Sequence, residues 1–139
     1  MTLYNNILVV VDATGNELTR ARVTEFVKLN GRSVHLVYLA PEYMVGETLV
    51  SMPVSKHADE MQQYIDRLHA EGVEVRGEIM SSNWFGRGDA VLELAHSVSA
   101  DLIILNTEQG GQRAKAQLAA IVARNSPKIA ILIARSTAP

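Results

Sequence analysis

The segment Leu102-Ile103-Ile104-Leu105 is apolar at every position and then stops abruptly. Asn106-Thr107-Glu108-Gln109-Gly110-Gly111-Gln112-Arg113 is polar and holds two adjacent glycines. A run of this kind offers no face to water, so it suits a strand covered on both sides, as in a parallel sheet between helix layers. It is too short for a helix. The glycines allow a tight turn, and the helix that follows would direct unpaired N–H groups back into the loop. In an open α/β sheet, ligands bind at such strand ends.

Ile7 to Val11 has the same character, and Ile129 to Ile133 is apolar throughout. Val34 to Leu39 reads as another strand, ended by Ala40-Pro41, because proline restricts the residue before it and donates nothing to a ladder. Val73 to Ile79 alternates apolar with charged residues, so one of its faces is wet and it belongs at a sheet edge. Helical stretches separate these runs. The first begins near Glu17, carries Leu18, Ala21, Phe26 and Leu29 as an apolar stripe, and stops at Asn30-Gly31. The second, capped by Ser55, carries Ala58, Met61, Ile65 and Leu68 and closes at Gly72. Asp89 to Val98 forms the third, with Ala90, Val91, Leu94 and Ala95 apolar. Gln112 to Arg124 forms the fourth, broken by Asn125-Ser126-Pro127. Glu42 to Val54 shows no clean period and reads as a long loop.

The resulting order, βαβαβαβαβ, predicts a three-layer, doubly wound, parallel five-stranded sheet with right-handed crossovers. The first and fourth strands are the central ones and the alternating third is an edge, which gives the order 3-2-1-4-5. The connection reverses direction between strands one and four. That reversal opens a crevice between Asp12 to Asn16 and Asn106 to Gly111. The fifth strand is then an apolar edge, and such an edge is normally hidden by pairing with another chain. A homodimer through Ile129, Ile131, Leu132 and Ile133 is predicted.

With 139 residues, the chain is expected to form one domain spanning 1–139. A formal net charge of -2 speaks against a nucleic-acid partner. The absence of cysteine excludes disulfides, thiolate metal sites and cysteine nucleophiles. No uncharged apolar segment approaches the roughly 20 residues a membrane span needs. Met1-Thr2-Leu3-Tyr4-Asn5-Asn6 has no basic n-region, so a cytoplasmic location is expected.

Three pieces of the chain together resemble the universal stress protein family, whose fold is of the adenine-nucleotide hydrolase-like type. Ile7-Leu8-Val9-Val10-Val11-Asp12-Ala13-Thr14 resembles its first strand, with the terminal aspartate and a small hydroxylated residue. Leu92-Glu93-Leu94-Ala95 followed by Ala100-Asp101-Leu102-Ile103-Ile104-Leu105 resembles its third helix and fourth strand. Ser126-Pro127-Lys128-Ile129-Ala130-Ile131-Leu132-Ile133 resembles its proline-led last strand. The resemblance implies a small stress-response binding protein, a homodimer through the last strand with an unknown protein partner, and ATP or AMP as ligand. It implies ligand contacts from Asp12, Ala13, Thr14, the backbone of Leu39, Asn106, Thr107, Gly110, Gly111 and Arg113.

The sequence departs from the family's ATP motif, Gly-x-x-Gly, a spacer, then Gly followed by Ser or Thr. Asn106 stands at the first glycine, and Ala119 or Ala120 where the second half should fall. A triphosphate grip needs close backbone N–H groups and a hydroxyl at the helix start. Weak ATP binding and an adenosine- or AMP-type ligand are therefore expected.

No catalytic or metal-ligating residue is assigned. His35, His57, His69 and His96 are scattered, the one shared helix face, His57 with Glu60, is far from a metal site, and no Gly-x-Ser-x-Gly elbow occurs. Trp84-Phe85 is the dense aromatic spot and reads as a plug at the end of the sheet. The alternative is a flavodoxin-like FMN carrier, since Thr14-Gly15-Asn16-Glu17 resembles part of that phosphate loop, although Asp12 and Glu17 would repel a phosphate. A phosphoacceptor receiver domain would need an aspartate ending the third strand, where Met80 stands.

Overall fold

The apolar run near the start of the chain becomes β1 (Tyr4–Val11), buried from Ile7 onward on both faces. The computed structural model describes residues 3–12, 17–40, 42–45, 48–51, 54–81, 88–106, 111–125 and 128–134. After β1 come α1 (Glu17–Asn30), β2 (Gly31–Ala40), β3 (Glu42–Val45), β4 (Thr48–Ser51) and α2 (Val54–Ala70). Then follow β5 (Glu74–Ser81), α3 (Gly88–Ser97), β6 (Leu102–Asn106), α4 (Gly111–Asn125) and β7 (Ala130–Ile133).

Five strands form a parallel sheet in the order β5-β2-β1-β6-β7. With the short β3 and β4 left out of the count, this is the predicted 3-2-1-4-5. It also disposes of the flavodoxin alternative, whose order would place the third strand of the sheet, not the fourth, beside β1. Alternation divides the core in two. Ile7, Val9, Val11, Leu36, Tyr38 and Ile104 face α1 and α2, packing on Val23, Val27, Tyr64, Ile65 and Leu68. Leu8, Val10, Val37, Leu39, Ile103 and Leu105 face α3 and α4, packing on Val91, Ala95, Leu118 and Val122.

At its N-terminal edge the sheet is pinned by Asp101. Its carboxylate accepts the Asn5 and Asn6 backbone N–H groups at 2.8 and 3.1 Å, and its own N–H donates to Asn6 O at 2.9 Å. These bonds set the register of β6 against β1, pairing Val11 with Asn106 at the other end. That register is what later places polar side chains together.

Four expectations change. Residues 42–45 and 48–51, expected in a loop, are the antiparallel strands β3 and β4. Ser55, expected ahead of the helix, falls within α2, which begins at Val54. Asn106 ends β6 instead of opening the loop. The apolar stripe of α1 is misplaced: Leu18 and Leu29 are 60% and 68% exposed, and Ala21 is exposed as well. The buried face is Thr19, Val23, Thr24 and Val27. Thr24 tolerates burial because its hydroxyl donates to Arg20 O at 2.8 Å, satisfying the polar atom within the helix. The edge strand β5 behaves as its alternation predicts, with Val75 buried and Glu74 and Arg76 exposed. Among the described residues, no helix is long and apolar enough to cross a membrane.

Candidate functional site

The chain leaves β1 toward α1 on one face of the sheet and leaves β6 toward α4 on the other. The two connections diverge, so the C-terminal ends of β1 and β6 border the crevice expected at a topological switch point. Asp12 follows the last residue of β1 and is fully buried, and Asn106 ends β6 at 1% exposure. Buried polar residues at two adjacent strand ends stand out in a core made mainly of Val, Ile and Leu.

The register extends this pair into a row. Val11 lies opposite Tyr38 on β2 and opposite Asn106 on β6, so Tyr38, Val11 and Asn106 run side by side across the top of the sheet on the α1/α2 face. Two helical pairs spaced i, i+4 cover the row: Arg20 and Thr24 from α1, Glu60 and Tyr64 from α2. The Tyr38 hydroxyl donates to Glu60 Oε2. Arg20 Nη2 donates to the backbone carbonyl of Asp12 at 2.7 Å, and its guanidinium carbon sits 6.0 Å from the centre of the Tyr64 ring. Glu17, the first residue of α1, bridges to Arg67 of α2 at 2.5 Å and ties the two helices together.

Burial disfavours the ionised form of both phenols and so raises their pKa. Tyr38 is pushed up by desolvation first and then by its bond to the Glu60 carboxylate, with the Asp12 charge adding to the effect. Tyr64 is pushed up to about 12, again by burial, while the Thr24 hydroxyl, the Arg20 charge and the Asn106 amide pull it partly back. Thr24 and Asn106 lie beside the Tyr64 oxygen without completing a hydrogen bond to it. Three buried atoms of the cluster have no partner: Arg20 Nε, Tyr64 Oη and Asn106 Nδ2. Each such donor left without an acceptor costs about 1–3 kcal/mol.

Of the residues predicted for the site, Asp12 and Asn106 stand where expected. Leu39 is on β2, its side chain buried against the α3/α4 face. Gly111 and Arg113 fall in the first turn of α4. Ala13, Thr14, Thr107 and Gly110, like Trp84 and Phe85, lie outside the described residues. Arg20, Tyr38 and Tyr64 escaped the sequence reading, and Glu60 entered it only as the helix-face neighbour of His57. The signal present was Tyr64, with Glu60 four residues before it, beside the α2 stripe of Met61, Ile65 and Leu68.

A polar groove of about 650 Å³ opens at the opposite end of the sheet between Arg32, His35, Arg76 and the Ser97–Ser99 corner. Glu74 lines it together with the arginines, and His35 Nε2 is engaged by Glu78 at 2.6 Å. None of the three unpartnered buried atoms lies there.

The fold defines the class: a doubly wound, parallel five-stranded α/β sheet in the order 3-2-1-4-5, shared with solved universal stress proteins. A protein from the universal stress protein family of Burkholderia pseudomallei superposes with a TM-score of 0.59 over 99% of this chain and 99% of its own, at 16% sequence identity. The universal stress protein from Archaeoglobus fulgidus gives 0.59 over 96% and 95%, at 14% identity. Hypothetical protein MJ0577 gives 0.64 over 99% and 100%, at 13% identity. At these identities the likeness is one of fold. No family model matches the sequence, and no curated protein does.

Proposed function

We propose that this chain is a universal-stress-type binding protein of a single domain, a cytoplasmic homodimer that holds a mononucleotide of the AMP type in the crevice between β1 and β6. The observation that carries the reading is the pair of buried polar residues, Asp12 and Asn106, at the ends of the two central strands where the connections diverge. The fold shared with two universal stress proteins supports the class. One base, one ribose and one phosphate is the size in question, because alanines replace the second half of the triphosphate grip and ATP binds weakly. Its output is contact with a protein partner, modulated by the nucleotide, and not turnover.

Native mass spectrometry of the full chain with AMP, ATP and FMN added separately tests this. A dimer that retains AMP, binds ATP more weakly and ignores FMN is expected. Asp12→Ala should lower AMP affinity about tenfold or more, the order of a hydrogen bond to a charged group. A chain that binds none of the three refutes the crevice reading.

A further inference from the structure

The groove at the N-terminal end of the sheet has a chemistry of its own. On β2 and β5, Ser33 lies opposite Glu74 and His35 opposite Arg76, and alternation puts all four on the face that carries Leu8 into the α3/α4 core. Higher on that face Val37, Leu39 and Met80 pack against the helices, whereas here the side chains are polar. Arg32 enters from the start of β2, and the corner after α3, Ser97 to Ser99, forms the facing wall. The volume between them, about 650 Å³, is that of a small-molecule site.

Three charged side chains line the groove: Arg32, Arg76 and Glu74. All three are exposed, and none makes an ion pair or a side-chain hydrogen bond among the described residues. The other charges nearby are engaged elsewhere. Glu78 holds His35 Nε2 at 2.6 Å, and the Asp101 carboxylate accepts the Asn5 and Asn6 N–H groups. Neither carboxylate lines the groove.

This charge pattern defines its complement. Two guanidiniums call for two carboxylates, each of which a guanidinium grips through paired N–H bonds. Glu74 calls for a cation, and α3, ending at Ser97, brings the negative end of its dipole to the same groove, which favours a cation again. A phosphate dianion would satisfy the arginines but oppose both Glu74 and the helix end. Among the described residues only Val34 and Val98 supply apolar lining, so a flat base gains little there.

We infer that this groove is a second binding site, for a free amino acid with an acidic side chain, its two carboxylates on Arg32 and Arg76 and its ammonium between Glu74 and the α3 terminus. The site stands apart from the nucleotide crevice, at the other end of the same sheet, and does not rest on that reading.

Isothermal titration calorimetry of the full chain with L-glutamate at low ionic strength tests this, with glutarate as the probe lacking the ammonium and L-glutamine as the probe lacking one carboxylate. L-glutamate should bind at about 1 mM or tighter, and each probe about tenfold more weakly, the worth of one charge-assisted hydrogen bond. Arg32→Gln and Arg76→Gln should each lower the affinity about tenfold, and in Glu74→Gln the preference for glutamate over glutarate should vanish. These side chains are exposed and without partners, so the variants should keep the wild-type melting temperature. Asp12→Ala should bind glutamate as the wild type does. No saturable binding of glutamate overturns the site. Glutarate binding as tightly as glutamate also overturns it, since the groove would then be an unselective anion patch. Binding lost in Asp12→Ala and kept in both arginine variants overturns it too, by moving the ligand to the crevice.

Discussion

Tyr64 makes the stability of this protein depend on pH in a range where carboxylates and histidines are silent. Its phenol is pushed from an ordinary 10.0 up to about 12, mainly by burial. In the unfolded chain the group ionises near its ordinary value, so above pH 10 the unfolded state sheds a proton that the folded state keeps. Stability from this residue is complete below pH 10 and falls as the pH rises toward 12. Urea midpoints near pH 9 and near pH 11 should show a loss on the order of 1–3 kcal/mol in the wild type and a smaller one in Tyr64→Phe. Tyr38 and Lys28, raised in the same direction, contribute to the remainder. An equal loss in both proteins would contradict the assignment to Tyr64. Gly31 and Gly77 make a second contrast at this scale. A Cβ on Gly31 would sit 2.6 Å from Ile7 Cδ1 and 3.1 Å from the Val27 carbonyl, a backbone atom that cannot step aside. On Gly77 it would meet the ends of the Ile65 and Met61 side chains, at 2.8 and 3.0 Å, which can swing away. Gly31→Ala should cost about 1–3 kcal/mol by denaturant titration, and Gly77→Ala under about 1 kcal/mol.

Helices α2 and α3 end in the same way with different residues. After α2, Gly72 N–H donates to His69 O at 2.9 Å and Val73 N–H to Leu68 O at 3.0 Å. After α3, Ser99 N–H donates to His96 O at 3.1 Å and Ala100 N–H to Ala95 O at 2.8 Å. Both are Schellman closures, and both require a left-handed residue, Gly72 at φ 82° and Ser99 at φ 56°. A side chain pays a steric cost in that conformation, which glycine avoids. Ser99→Gly should therefore raise stability by about 0.5–1 kcal/mol, while Gly72→Ala, with open space around its new methyl, should lower it by about 1–2 kcal/mol. Differential scanning calorimetry of the two variants would refute the account if they shifted in the same direction. The α3 closure also positions the sheet. Its Ser99 carbonyl accepts Asn6 Nδ2 at 3.2 Å, one residue pair before Asp101 pins the start of β1.

For the molecule as a whole, the open question is the β7 edge. Ile131 and Ile133 pack against the α3/α4 face, but α1 and α2 cover the other half of the sheet, so Leu132 is 37% exposed on the face they leave bare. An apolar edge of this kind is the surface we propose for the dimer. Sedimentation at micromolar concentration should give a dimer for the wild type and a monomer for Leu132→Lys, because a buried ammonium at a paired edge has no counter-charge among Ile129, Ile131 and Ile133. A monomeric wild type would remove the idea. The fold itself was legible because its signals are local and strong. Runs apolar at every position mark the central strands, alternation marks the edge, and glycine or proline marks each break. Half of the candidate site was legible for the same reason, since Asp12 and Asn106 stand at the ends of such runs.

The other half was not, and the reason is physical. Periodicity reports contacts a turn or a strand pair away, and by itself it determined the alternation of the five sheet strands with the helices and the identity of the central strands. Only packing decided which face of α1 turned inward, because its weak apolar pattern left Leu18 and Leu29 outside and buried two threonines, of which Thr24 bonds within its own helix. Only the register of β1 against β2 and β6 brought Tyr38 beside Val11 and Asn106, and only the seating of α1 and α2 over that row placed Arg20, Glu60 and Tyr64 upon it. A buried polar cluster of this kind cannot be read from a sequence, since whether a polar atom is paired depends on neighbours that folding alone supplies.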